Sequence, residues 1–208
     1  MELDLLEGVS EKEIFALKSL AERLAGPGSM FVNVGVWKGH TTSALAEVAK
    51  SYCGHVYAVD HWRGAPGSGQ EQMAKDYDIF SIFKINMMAL GLADYIIPIS
   101  KDSVMASRDF ADKSIDLVFL DSDHIYNNFK KELAAWIPKI KIGGIICGHD
   151  CEAYYGQASL GLQNRLDKNL DIDFEGLYHA GVIKGLYEYF NDDYIIIPET
   201  RIWYKVIE

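Results

Sequence analysis

Cysteine is scarce in this chain of 208 residues: Cys53, Cys147 and Cys151 are the only three. Their odd number and wide spacing give neither a disulfide framework nor a zinc pattern, so the chain reads as a protein of a reducing compartment, the cytoplasm. Positive charge is also in short supply. Twenty Lys and Arg stand against thirty Asp and Glu, a formal net charge of -10. An acidic sheath repels phosphate backbones and anionic headgroups, which argues against nucleic acid or membrane as the main partner and leaves a local basic pocket open. No apolar run approaches the ~20 residues of a membrane span. The acidic residues 1–8 lack the shape of a signal peptide. Prolines number five, and there is no linker, repeat or low-complexity tract. The dinucleotide fingerprint G-x-G-x-x-G and the phosphate-binding G-K-[ST] are missing as well. What remains is a single domain over 1–208, long enough to build its core without staples.

Apolar residues make up 49% of the chain, and they fall into a rhythm. Ile14, Leu17, Leu20, Ala21 and Leu24 have helical spacing, so a helix is expected from about 10 to 25, with Ser10 as its cap and Glu13 as the capping-box acid. Residues 26–28, Gly-Pro-Gly, stop it. Continuous apolar runs at 30–36, 55–60, 95–100, 115–121 and 144–149 read as buried strands. Helical patterns at 41–52, 68–92, 104–110 and 126–140 separate them. Strands apolar on both faces imply a parallel sheet covered above and below by helices, and right-handed crossovers make it doubly wound. The end departs from this rhythm. Residues 152–178 read as a long loop or lid with a short helix, 181–190 as a helix, and 194–198 and 201–207 as strands too close together to be anything but antiparallel. The fold class is α/β: a doubly wound, Rossmann-like sheet, mostly parallel, with an antiparallel C-terminal hairpin.

In such a sheet, ligands lie beyond the carboxyl ends of the strands. The first strand is followed by Asn33, Gly35, Trp37, Lys38, Gly39, His40, Thr41 and Thr42. Gly35 and Gly39 let a backbone approach a ligand, and a helix starting at Thr41 offers N–H groups. A tight strand-to-helix turn would need the same glycines. Asp60 ends the second strand, where a carboxylate accepts both hydroxyls of a ribose or simply caps a turn. His61 and Trp62 follow it, able to pack on a base or to join the core. Asp102 and Ser103, after the third strand, suit an adenine edge or a helix cap. The fourth strand ends in Asp121, Ser122, Asp123, His124 and the fifth in His149, Asp150. If these strands are neighbours, Asp121, His149 and Asp150 converge. Two carboxylates and an imidazole, completed by water, suit Mg²⁺ or Mn²⁺; capping of the following turns is the other reading. His124, three residues past Asp121, has a pKa suited to a general base. His40, His55, His61 and His179 read as satisfied core or surface residues, and Cys147 as core.

The segments 31–43, 56–64, 115–126 and 136–150, with 179–184 and 201–205, resemble a class I S-adenosylmethionine-dependent methyltransferase. More narrowly, they resemble the small family related to macrolide-sugar and catechol-type metal-dependent O-methyltransferases. The resemblance implies a seven-stranded sheet with the last strand antiparallel. It implies that Gly35, Trp37, Gly39 and Thr41 hold the methionine part of S-adenosyl-L-methionine, that Asp60 and His61 hold the ribose side, and that Asp102 and Ser103 hold the adenine side. Asp121 would touch both this donor and a divalent cation shared with His149 and Asp150, and His124 would be the base. Asn33 and His149 stand where many relatives carry acids, and some proteins of this fold group are hydroxylases. The expected activity is O-methylation of a small hydroxylated molecule, by a chain that closes 152–178 over the acceptor; the oligomeric state is left open, a homodimer being suggested only by the commonness of twofold homo-oligomers. N-methylation, a nucleotide-dependent oxidoreductase and a non-catalytic cofactor-binding module are the alternatives.

Overall fold

A computed structural model describes residues 5, 8–174 and 176–208. The elements run α1 (Glu11–Glu22), β1 (Met30–Val34), α2 (His40–Ser51), β2 (His55–Asp60), α3 (Gly69–Asp76), α4 (Ile79–Ala89), β3 (Ile96–Ser100), α5 (Ser103–Ser107), β4 (Ile115–Leu120), α6 (Tyr126–Trp136), β5 (Ile140–Gly148), α7 (Leu160–Asp167), α8 (Ala180–Phe190), β6 (Ile195–Ile196) and β7 (Trp203–Val206). The seven strands form one sheet in the order β3-β2-β1-β4-β5-β7-β6. The first five are parallel, and β7 is antiparallel to both β5 and β6. The expected Rossmann-like architecture with an antiparallel end is therefore present.

The two faces follow from the period-2 alternation of a strand. Phe31, Val56, Ala58, Leu117, Phe119 and Cys147 pack on one side with α1, α2 and α4. Val32, Val34, Val59, Val118, Leu120 and Ile146 pack on the other with α5, α6 and α8. The chain winds outward from β1 to β3, then returns to place β4 on the other side of β1. This reversal puts the ends of β1 and β4 side by side, with Val34 in register with Leu120, and opens a crevice above them.

The α1 cap forms as expected: Glu13 Oε2 accepts from Ser10 N at 2.8 Å, and Ser10 Oγ accepts from Glu13 N at 3.4 Å. Some boundaries move. The helical pattern over 68–92 is two helices, because Tyr77 is extended and Asp78 starts a new helix by accepting from Ser81 N. The helix expected to reach 140 ends at Trp136 in a short 3-10 turn containing Pro138, and β5 begins at Ile140 instead of 144. Proline lacks the N–H that would continue an α-helix. β6 is only two residues long. The segment 152–178 carries α7, and its Tyr155 and Leu166 are part of the core. Among the described residues no helix is long and apolar enough to cross a membrane.

Candidate active site

A cavity of about 660 Å³ opens over the carboxyl ends of the parallel strands, lined in part by Gly35, Asp60, Asp102, Asp121 and His149. Its size is that of a small-molecule site. The turn after β1 forms one wall. Gly35 has φ +82°, and a Cβ there would lie 2.0 Å from the carbonyl oxygen of Asp121. Gly39 has φ +100°, and a Cβ there would lie 2.6 Å from Met87 Cε. Gly35 is thus required by close approach to backbone, and Gly39 by its left-handed conformation, so the fold itself accounts for both. Asp60 fastens the same turn: its Oδ2 accepts from Val36 N and Trp37 N at 2.8 Å each, and its Oδ1 from Trp62 N at 2.6 Å. Three of roughly four lone-pair directions of the carboxylate are then used, and the fourth remains.

Trp62 belongs to the core, packed on Phe80 and Phe83 with its indole N–H donated to Trp37 O. His61 lines the cavity and accepts from Arg63 N. Thr41 also faces the cavity and, like Thr42, accepts from the buried Asn33 amide, whose own oxygen has no partner. Asp102 caps α5 through Met105 N, and Ser103 Oγ accepts from Trp136 Nε1 at 3.0 Å; both line the cavity as well.

The ends of β4 and β5 carry a cluster of charges. Parallel pairing of Leu120 with Gly148 brings Asp121 beside His149 and Asp150. One donor atom from each of these three lies within 4.8 Å of the others. His149 Nδ1 is 3.1 Å from Asp150 Oδ1 and 3.7 Å from Asp121 Oδ1. His124 joins them, its Nε2 3.1 Å from Asp150 Oδ2 and its Nδ1 2.6 Å from Asp173 Oδ1. The four residues singled out from strand ends are therefore neighbours in space.

Five further residues enter the cluster. Glu13 reaches in from α1, with Oε1 3.0 Å from His149 Nε2 and accepting from Arg201 N. Arg201 donates from Nη1 to Asp150 Oδ1 at 2.8 Å. Asp173 flanks His124. His179, expected to be merely satisfied, is paired with Glu152 at 2.7 Å but also stands 3.4 Å from Asp150 Oδ1. These contacts span the whole chain, and no local pattern announces them.

Proton affinities follow from the geometry. Burial pushes the Asp121 carboxyl up. Burial also disfavours a charged His149, but Asp150 and Glu13 outweigh it and raise the imidazole to about 10. His124 is raised well above its ordinary value in the same way: burial opposes the charge, and Asp150 and Asp173 favour it. Burial would raise Asp150 too, yet the two imidazoles beside it hold its carboxyl well below the usual range. Protons on the histidines thus balance the carboxylates, and a divalent cation would compete with those protons.

Donor chemistry fits such a cation at Asp121, His149 and Asp150. Glu13 stands against the far nitrogen of His149 and leaves Nδ1 toward both carboxylates. Carboxylates orient ligating histidines in this way.

A further acid sits apart from this cluster. Glu132, on α6, is 4% exposed and lines the cavity. Its Oε1 accepts from Ser122 Oγ at 2.6 Å, and its Oε2 is buried with no hydrogen-bond partner. Burial drives its carboxyl up to about 7, against the Ser122 and Ser103 hydroxyls, which favour the charge. The signal for it was present in the sequence: an acid between Phe129 and Leu133 on the apolar face of a helix.

No curated protein matches the chain. Among solved structures, cofactor-bound Rv0187 from MTB is 16% identical, covering 99% of this chain and 85% of that one at a TM-score of 0.64. The O-methyltransferase NovP is 16% identical over 94% and 79%, with a TM-score of 0.61. The O-methyltransferase TomG from Streptomyces achromogenes, solved with SAM, is 13% identical over 99% and 83%, with a TM-score of 0.59. At these identities the likeness is one of fold. A family described as a methyltransferase domain matches residues 32–151, which span β1 through the end of β5 and its following Asp150, and the chain belongs to that family.

Proposed function

We propose that this enzyme transfers the methyl group of S-adenosylmethionine to a hydroxyl oxygen of a small molecule, with a divalent cation, Mg²⁺ or Mn²⁺, at Asp121, His149 and Asp150. The observation that carries this reading is the meeting of those three side chains and His124 beside the cavity.

The donor's carboxylate suits the N-terminus of α2, which no side chain caps. Asp60 has a lone-pair direction left for a ribose hydroxyl, and its grip on Val36 N and Trp37 N holds the turn rigid beneath the donor. Asp102 and Ser103 stand on the adenine side. When bound, the cation would hold the acceptor oxygen, lower its pKa and relieve Asp150 of its hold on the His124 proton. His124, anchored at Nδ1 by Asp173 and with its Nε2 proton first released to solvent, would take the acceptor's proton at Nε2 as the oxygen attacks the methyl carbon and the carbon–sulfur bond breaks. The main contribution of the chain is then positioning and the exclusion of water. The segment 152–178 places Asp173 and Glu152 against the cluster and would cover the acceptor.

The test is turnover of catechol, phenol and sugar hydroxyls with S-adenosylmethionine and Mg²⁺ or Mn²⁺, alongside calorimetry with S-adenosylhomocysteine. Methyl transfer is expected to fall at least ~100-fold with chelator or with Asp150→Asn, while the affinity for S-adenosylhomocysteine stays within about threefold. Turnover indifferent to both treatments removes the cation from the reading, and a protein that does not bind S-adenosylhomocysteine removes the donor.

A further inference from the structure

The chemistry above leaves Glu132 unused. Its Oε2 is buried and without a hydrogen-bond partner of normal geometry, the Ser103 hydroxyl nearby only favouring the carboxylate's charge, and it belongs to a residue that lines the cavity with Asp102, Ser103 and Ser122. A buried carboxylate oxygen without a donor is unfavourable, and a ligand that brings an N–H into that wall relieves it. The α5–α6 side of the cavity, where Glu132 sits, lies across the sheet from α2.

S-Adenosylmethionine carries N–H groups at two ends. Its ammonium is on the same carbon as its carboxylate, and the N-terminus of α2 favours that carboxylate. The amine free to reach the opposite wall is the exocyclic amino group of adenine. Resting on the donor assignment above, we propose that Glu132 reads the donor's nucleobase: Oε2 accepts a hydrogen bond from the adenine amino group, while Ser122 holds Oε1 in place. Hypoxanthine presents a carbonyl oxygen at that position, which would set acceptor against acceptor.

Glutamine in place of Glu132 keeps the volume. Its oxygen can still accept from Ser122, and its NH₂ then occupies the place of Oε2. The amide would repel the adenine amine and pair with the hypoxanthine carbonyl, so selectivity should invert.

The experiment is calorimetric titration of the wild-type protein and Glu132→Gln with S-adenosylhomocysteine and S-inosylhomocysteine, with circular dichroism to verify folding. Wild type is expected to favour the adenosyl compound by at least ~50-fold, since sites built to hydrogen-bond a group reject analogues that lack it. In Glu132→Gln that ratio should fall below about 3 or reverse. A wild-type ratio within about threefold, or a ratio unchanged by the substitution, overturns the role of Glu132 while leaving the donor assignment standing. Absence of S-adenosylhomocysteine binding to the wild type overturns the donor assignment instead.

Discussion

Glu132 also makes a prediction about the free protein, independent of any ligand. Its carboxyl rises from 4.5 to about 7 because α6 buries it. A group with a raised folded pKa binds more protons folded than unfolded between those two values. Its contribution to stability is therefore fully present below pH 4.5 and is lost as pH climbs through 7. At 1.36 kcal/mol per pKa step, the loss amounts to about 3 kcal/mol. With 4% of the residue exposed, solvent screening takes little from this figure. Glu132→Gln carries no proton in this range and should not show the loss. Urea unfolding of both proteins at several pH values from 4.5 to 8 isolates the effect, because the titrations of His124, His149 and the other shared groups cancel in the difference. The variant should gain about 3 kcal/mol on the wild type over this range, most of it between pH 5 and 7.5. A difference that stays flat, or one that shrinks as pH rises, refutes the claim that this carboxyl is held in a dry site.

Other perturbations test the frame of the site. Gly35→Ala forces a side chain into a left-handed backbone with its Cβ 2.0 Å from the Asp121 carbonyl oxygen; a loss of at least about 2 kcal/mol in urea unfolding is expected, and a neutral result would contradict the close approach of β1 and β4. Cys147 and Cys151 are buried, and burial pushes both thiols up, whereas Cys53 is exposed. An aromatic disulfide reagent should therefore label one thiol quickly in the native protein and all three only in denaturant, with Cys53→Ser removing the fast phase.

Much of the fold was legible because burial on both faces leaves an unbroken apolar run, as at 115–120, and because only parallel strands are buried that way. Boundaries were harder. The pattern of 68–92 stays apolar enough at helical spacing to hide the break at Tyr77, and only the capping chemistry of Asp78 marks it. Residues 140–143 belong to β5, yet no change of composition divides them from the turn that ends the helix before. In the cavity, Asp121, His124, His149 and Asp150 could be grouped because neighbouring parallel strands end together. Glu13, Asp173, His179 and Arg201 could not, since each arrives from an element whose placement depends on long-range packing. Glu13 is the instructive case. Its Oε2 makes the capping box that local spacing reveals, while its Oε1 serves His149 and Arg201 across the fold.

That double use ties both ends of the chain to the same carboxylate. Glu13 comes from the first helix, Arg201 from the connection between β6 and β7, and both close on the His149–Asp150 pair. Buried ionic clusters of this kind give little net stability compared with apolar packing, because desolvation offsets most of their attraction. Removing one member is another matter: it strands the partners as uncompensated charges and typically costs about 3–5 kcal/mol. Asp150 touches His124, His149, His179 and Arg201 at once. Truncating it to Ala would confound lost chemistry with lost folding. Asn retains the shape and one accepting oxygen for Arg201 while removing the charge, so a turnover defect in Asp150→Asn without a collapse of the fold assigns the carboxylate to the reaction, and equal losses of both assign it to the scaffold.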